Sequence, residues 1–296
     1  MPVDIGGIIY IMSKTLNLYE GKADMPDDVS ENQALPELIS TADPGSFARS
    51  TVVDRQPHII KQIREDGEFD ARGIERLESL IDEMKNGTVE NPISIWNVDP
   101  MSFHEDELRR WEKAVGAYAG RSWLDIPWYF AESFFYFKLL CAIGYYDAES
   151  SSFMIDPFQV QKTRELSAGG GVVQTAMQLS AVLEKTRSGE LSAEEGYYDF
   201  VMASLWGNRI DLSNAAVTDS SRVDFLNSDT HELVVDNAEK LCRELHSADN
   251  VDIILDNSGP ELMSDLFLAL YFLSLDPGRC VQLFVKNAPF YVSDTM

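Results

Sequence analysis

The stretch VDIILDNSGPELMSDLFLALYFLSLDPGRCVQLFV, residues 251–285, carries the strongest topological signal in the chain. Its first five residues, Val251 to Leu255, are a short β-rich run that ends in Asp256, Asn257, Ser258 and Gly259. The apolar stretch Pro260–Leu275 opens directly afterwards. Proline suits a first helical turn, because the N–H it lacks would have no intrahelical partner there. Asp276, Pro277 and Gly278 form a turn signal, and Val281–Val285 is a second short apolar run. Strand, helix and strand at this spacing predict a βαβ unit with parallel strands. Upstream, His231–His246 reads as an amphipathic helix with Leu233, Val234, Ala238, Leu241 and Leu245 inward. Downstream, Phe290–Val292 is expected to start a further extended segment.

In an open α/β sheet, ligands sit beyond the carboxyl ends of the strands. Asp256 and Asn257 occupy one such end. The following helix aims free N–H groups and its positive dipole at the same place, which suits a phosphate. The neighbouring parallel strand delivers its own loop alongside, and that loop carries Asp294. Carboxylate and amide oxygens are hard ligands, suited to Mg²⁺ or Mn²⁺ rather than Zn²⁺. Asp256, Asn257 and Asp294 are therefore candidate ligands of one octahedral ion with positions open for water and phosphate. The plainer reading stands beside it: Asp-Asn-Ser-Gly is good turn chemistry in any fold.

Outward from this unit, the chain from Phe47 to about Ala216 reads as helical. Ile74, Leu77, Leu80, Ile81 and Met84 recur at the spacing of one apolar helix face. Ser102 and Glu105 have capping-box spacing for a helix through Tyr118. The aromatic stretch WYFAESFFYFKLLCAIGYY, residues 128–146, follows Pro127, and further helices are expected around 157–167, 172–187 and 193–206. Residues 20–48 are rich in Pro, Asp, Glu, Ser and Gly and read as a loose arm. The expected division is a flexible arm over 1–45, a mostly helical domain over 46–216 and an α/β domain over 217–296.

Composition bounds the function. The 296 residues carry a net charge of −25, which argues against nucleic acid and against anionic lipid as partners. Hydrophobic residues make up 45% of the chain, ample for a core. Cys141, Cys242 and Cys280 are widely spaced and give no disulfide framework, so a reducing compartment is the simplest reading. The apolar run Ile5–Met12 lacks the flanks of a signal peptide. The two most apolar windows are interrupted by Glu132, Lys138 and Asp265, which makes them buried helices rather than membrane spans. The expected location is the cytoplasm, with the nucleus as a second.

Three segments in order, LWGNRIDLS (205–213), DNSGPELMSD (256–265) and KNAPFYVSD (286–294), resemble the damage-control phosphatase family, in its subfamily that includes acidic residue methyltransferase 1. Weaker echoes are DPGSF (43–47), DRQP (54–57), PWYFAE (127–132) and DPF (156–158). The resemblance implies a helical N-terminal domain packed on a Rossmann-like αβα domain. It implies a metal-dependent phosphatase acting on phosphorylated metabolites, notably fructose 1-phosphate and fructose 6-phosphate, with Mn²⁺, Ni²⁺, Co²⁺ or Mg²⁺ as cofactor. The family's metal ligands fall on Asp256, Asn257 and Asp294, with Asp256 and Asn257 also meeting substrate and Asp256 or Asp294 orienting or deprotonating the attacking water. Glu261 takes the position associated with S-adenosylmethionine contact, which Asp294 would share. Asn208 and Asp211 are further candidates for the pocket lining; the alternative for Asp211 is a helix-end cap.

Two features depart from that pattern. Tyr136 is followed by Phe137 where the family has Tyr-Arg, although Lys138 keeps a positive charge nearby. The family's Lys-Gly-Asp-like segment and its phosphate-gripping Arg-Thr-x-Lys motif do not occur, which reads as C-terminal truncation and leaves Lys286 as the strand-proximal cation. The alternatives are an S-adenosylmethionine-dependent protein-glutamate O-methyltransferase, for which no glycine-rich strand-loop is visible, and a non-catalytic binding remnant with an exposed sheet edge. Arg55 could reach a phosphate or pair with an acid, and Glu132 needs a partner inside its apolar helix. His58, His104, His231 and His246 show no ligand spacing, and Gly169–Gly171 lacks the lysine of a phosphate loop.

Overall fold

The computed structural model describes residues 9–10, 37–67, 69–96, 98, 105–165, 171–207, 233 and 235–296. The two-residue strand β1 (Ile9–Tyr10) comes first, followed by helices α1 (Phe47–Ser50), α2 (Gln56–Asp66), α3 (Ala71–Asn86), α4 (Pro92–Ile95), α5 (Glu105–Gly116) and α6 (Trp128–Ile143). Helices α7 (Gln159–Glu165), α8 (Gly171–Ser188), α9 (Ala193–Trp206) and α10 (Ala238–Ser247) lead to β2 (Asn250–Ile254), α11 (Pro260–Leu275) and β3 (Cys280–Phe284). The protein is mostly helical, with a small sheet in which β2 and β3 are parallel.

Residues 34–160 form one compact unit. Its centre is α6, buried from Phe134 to Ile143 without a break. A helix that is apolar all round has no solvent face, and this one is enclosed as that pattern requires. Asp70 caps α3 by accepting the Gly73 N–H at 2.6 Å, and Leu77, Leu80 and Met84 then point into the core. The two charges inside α6 are each held. Glu132 accepts from Arg55 Nη1 and from Gln56 Nε2, both at 2.9 Å. Lys138 is fully buried, pairs with Glu83, donates to the Glu90 carbonyl at 3.2 Å and lies 5.0 Å from the Trp96 ring centre. Arg55 thus serves as a structural partner of Glu132 here. The described end of the expected flexible arm is pinned rather than loose: Thr41 is buried and donates to the Trp123 and Ile126 carbonyls at 2.8 and 3.0 Å.

The second unit comprises residues 161–296 and β1. The division falls at 160 rather than at the expected 216. The reason is packing: Leu179 and Leu183 of α8 and Tyr197 and Phe200 of α9 share one buried cluster with Leu268 and Phe272 of α11 and Val251 and Ile253 of β2. Each large apolar side chain enclosed this way is worth about 1.5–3 kcal/mol. The parallel register is Val251 to Val281 and Ile253 to Leu283, as the βαβ reading requires, and β1 adds an antiparallel pair, Ile9 to Ile253. Helix α9 starts at a complete capping box of Ser192 and Glu195.

Two other expectations are corrected. Helix α10 begins at Ala238, not near 231, because Asp236 accepts the Ala238 N–H at 3.0 Å and Asn237 is not helical; residues 231, 232 and 234 lie outside the described residues. Residues 290–292 are not extended as a strand. The chain turns back there, with the Asp294 N–H donating to the Tyr291 carbonyl at 3.2 Å. Among the described residues no helix is long and apolar enough to cross a membrane.

Candidate metal centre at two strand tips

Strand β2 ends at Ile254, and the chain then passes through Asp256 and Asn257 into a turn closed by Gly259 at φ 92°. That backbone region is open to glycine and strained for other residues. Helix α11 follows with no side-chain cap on its N-terminus, so its first N–H groups are not claimed by a capping side chain. Gly207, in the segment before this site in sequence, lies so close that an added Cβ would sit 2.6 Å from the Glu261 Cα. A side chain there would push α9 off the start of α11.

After β3 the tail folds back along the Asp256–Gly259 turn. The Lys286 N–H donates to the Thr295 carbonyl at 3.0 Å, the Thr295 N–H to the Asp256 carbonyl at 2.9 Å, and the Ser258 N–H to the Ser293 carbonyl at 2.6 Å. An isolated antiparallel bridge joins Asn257 to Asp294. These backbone bonds bring Asp256, Asn257 and Asp294 together across 38 residues of sequence, between the two strand tips.

The side chains meet on a cation. The Lys286 ammonium pairs with both the Asp256 and the Asp294 carboxylates. Burial works against that charge, but the two carboxylates outweigh it and hold Lys286 above the usual lysine pKa. Asp294 is 1% exposed, and its second oxygen accepts the Tyr291 N–H at 2.7 Å. Asn257 Oδ1 accepts from Ser293 Oγ at 2.6 Å, while its amide nitrogen donates to Glu261 at 3.0 Å and to Asp256 at 3.3 Å. Lys162 of α7 donates to the Asp294 carbonyl at 2.6 Å.

Whether these residues fit a divalent ion can be judged from the donors themselves. Two carboxylates already converge on one positive charge; the Asn257 amide lies beside Asp256 through its nitrogen, with its oxygen turned to the Ser293 hydroxyl, so an amide rotation brings that oxygen to the carboxylate side. The buried hydroxyl oxygens of Ser258 and Thr295, which flank Asn257 and Asp294 in sequence, have no hydrogen-bond partner among the described residues. An all-oxygen set of this kind is the chemistry of Mn²⁺ and Mg²⁺, and the residues fit. Glu261 is buried beside this set rather than open to a large ligand. Asn208 and Asp211 lie outside the described residues, as do His104, His231 and Gly169; His58 and His246 are exposed. Reading the sequence alone missed Lys162, because a single lysine on a short polar helix carries no mark of a contact 132 residues away.

Behind the site lies a second pair of acids, one helical turn apart on α11. Glu261 and Asp265 are each 1% exposed, and burial pushes both carboxyls up to about 7. Glu261 Oε1 and Asp265 Oδ2 have no partner among the described residues, and Ser204 Oγ donates to the other Asp265 oxygen at 2.5 Å. Both groups ionise more easily in the unfolded chain. Between the ordinary carboxylate range and pH about 7 the folded chain therefore holds more protons, and stability falls as pH rises through that window. Asp265→Asn keeps an acceptor for Ser204 and removes one of these groups. The variant is expected to gain on the order of 2 kcal/mol over the wild type in urea melts at pH about 8 and nothing at pH about 4. An equal gain at both pH values would contradict the assignment.

Comparison with known proteins gives one coherent result. The profile described as Damage-control phosphatase ARMT1-like domain matches residues 51–296. The chain is 29% identical over 304 residues to the Damage-control phosphatase ARMT1 of Macaca fascicularis, covering 88% of this chain and 66% of that protein. To the protein of the same description from Danio rerio it is 26% identical, over 90% of this chain and 65% of the relative, and to that from Homo sapiens 28%, over 88% and 66%. The chain thus spans slightly under two thirds of the length of these relatives.

Proposed function

The chain belongs to the damage-control phosphatase ARMT1-like domain family, and from that premise we propose that it releases inorganic phosphate from small phosphorylated metabolites at a divalent-cation centre held by Asp256, Asn257 and Asp294. Fructose 1-phosphate and fructose 6-phosphate are the substrates to try first. The observation that carries the reading is the convergence of the Asp256 and Asp294 carboxylates on one cation at the tips of two parallel strands.

A bound Mn²⁺ or Mg²⁺ would polarise a phosphoryl oxygen and make a water more acidic. The rest falls to the chain. Asp294, fixed by the Tyr291 N–H, is a rigid acceptor, and Asp256, a third exposed at its side chain, would orient the attacking water and take its proton. The first N–H groups of α11 face the same turn and complement a phosphate. Burial favours the neutral form of Glu261, so it adds less repulsion to an incoming dianion than an exposed carboxylate would. With a net charge of −25 the protein repels such a substrate at long range, so Lys286 and Lys162 are needed to reverse the field locally. In-line displacement would then be driven mainly by positioning and charge neutralisation.

Burial of Glu261 and its bond to Asn257 support this reading over the methyltransferase alternative. The test is phosphate release from fructose 1-phosphate by this chain, with Mn²⁺ and with a chelator. Release that needs the metal supports the proposal. Mn²⁺ binding without release leaves a binding protein, and methyl transfer from S-adenosylmethionine without release leaves the methyltransferase.

A further inference from the structure

Lys286 is the one cation that contacts both candidate ligand carboxylates among the described residues. Its ammonium stands where those carboxylates need a positive charge, and a divalent ion would have to share that position with it. Two cations cannot occupy one locus, so one must leave. Asp294 is not the mobile party: its side chain is 1% exposed and tied to the Tyr291 N–H. Lys286 is 31% exposed on its side chain, with its own backbone fixed to Thr295. A flexible four-carbon stem anchored at its base, with about a third of its side-chain surface open to solvent, can swing while the strand stays in place.

We propose that Lys286 is a resident counter-ion of the Asp256–Asp294 pair, displaced by the divalent cation and thereby released to grip the phosphate group of the substrate. The inference rests on the metal-centre reading above. The lysine keeps two neighbouring carboxylates from repelling each other in the metal-free protein. On metal binding it becomes a free positive charge at the edge of the site, where a phosphate dianion arrives. Lys286 is a positioning residue in the first state and a ligand for phosphate in the second.

The test is calorimetric titration of the full chain with Mn²⁺, then of the Mn²⁺-loaded protein with inorganic phosphate, for the wild type, Lys286→Met and Lys286→Arg. Lys286→Met is expected to bind Mn²⁺ about tenfold more tightly, because the competitor is gone, and phosphate about tenfold more weakly. Lys286→Arg, which keeps the charge, stays near the wild type in both. In thermal melts Lys286→Met loses stability without metal and recovers more than the wild type when Mn²⁺ is added. Equal or weaker Mn²⁺ binding by Lys286→Met, or unchanged phosphate binding, overturns the role of Lys286 and leaves the metal centre standing. A wild type and a variant that both fail to bind Mn²⁺ overturn the metal centre and this inference together.

Discussion

Glu83→Ala is expected to destabilise the helical unit by about 3–5 kcal/mol, because it leaves a buried ammonium without its counter-ion. Lys138 has no exposed side-chain surface, and Glu83 is the carboxylate it pairs with. Burial already pulls the Lys138 pKa below the ordinary lysine value, with Glu83 opposing that shift. Without Glu83 the unfolded chain holds a proton on Lys138 more easily than the folded chain does. Stability of the variant therefore rises as pH approaches the unfolded lysine pKa. Urea melts at pH about 7.5 and about 9.5 check this, and the deficit should shrink at the higher pH. The double variant Glu83→Gln, Lys138→Met should recover most of the loss, since it removes both buried charges and keeps an oxygen for the Trp123 indole N–H, which Glu83 accepts at 2.9 Å. A deficit below about 1 kcal/mol at both pH values would mean that the pair contributes little.

Asp256→Ala is the change expected to affect chemistry most. It removes a carboxylate that the proposed function uses twice, as a metal ligand and as the group that orients water. Metal-dependent phosphate release from fructose 1-phosphate should fall about a thousandfold. The loss should appear in kcat at saturating Mn²⁺, because extra metal cannot replace a missing oriented acceptor. Asp256→Asn keeps size and one oxygen and should recover part of the metal affinity but little of the rate. The core lies elsewhere in the unit, so the fold should persist, and circular dichroism of the variant should match the wild type. Equal rates in the wild type and Asp256→Ala would remove Asp256 from the mechanism.

The βαβ unit was legible because its signals are local. An apolar run, a turn with glycine, a proline at the first helical position and a second apolar run leave little choice of topology. The juxtaposition of Asp256 with Asp294 was legible for the same reason: adjacent parallel strands put their exit loops side by side. Burial of the charges in the two apolar helices could also be foreseen, but not their partners. Glu132 meets Arg55, and Lys138 meets Glu83 across 55 residues of sequence. Such pairs depend on how helices cross, which periodicity does not encode.

The unit boundary near 160 escaped for a related reason. Helices α8 and α9 look like the helices before them, and only their shared cluster with α11 and β2 assigns them to the second unit. The tail misled because Phe290, Tyr291 and Val292 have strand propensity. Asp294 captures the Tyr291 N–H and turns the chain back instead, so a local side-chain bond won over propensity. That same bond fixes the carboxylate on which the site depends. Of the candidate pocket residues, Asn208 and Asp211 are placed by the resemblance alone.

Anomalous diffraction from crystals of the full chain grown with Mn²⁺, recorded at the manganese edge, tests the metal centre most directly. One strong peak is expected within bonding distance of Asp256 and Asp294, with the Lys286 side chain turned away from both. No peak there, with Lys286 still bridging the two carboxylates at saturating Mn²⁺, would contradict it.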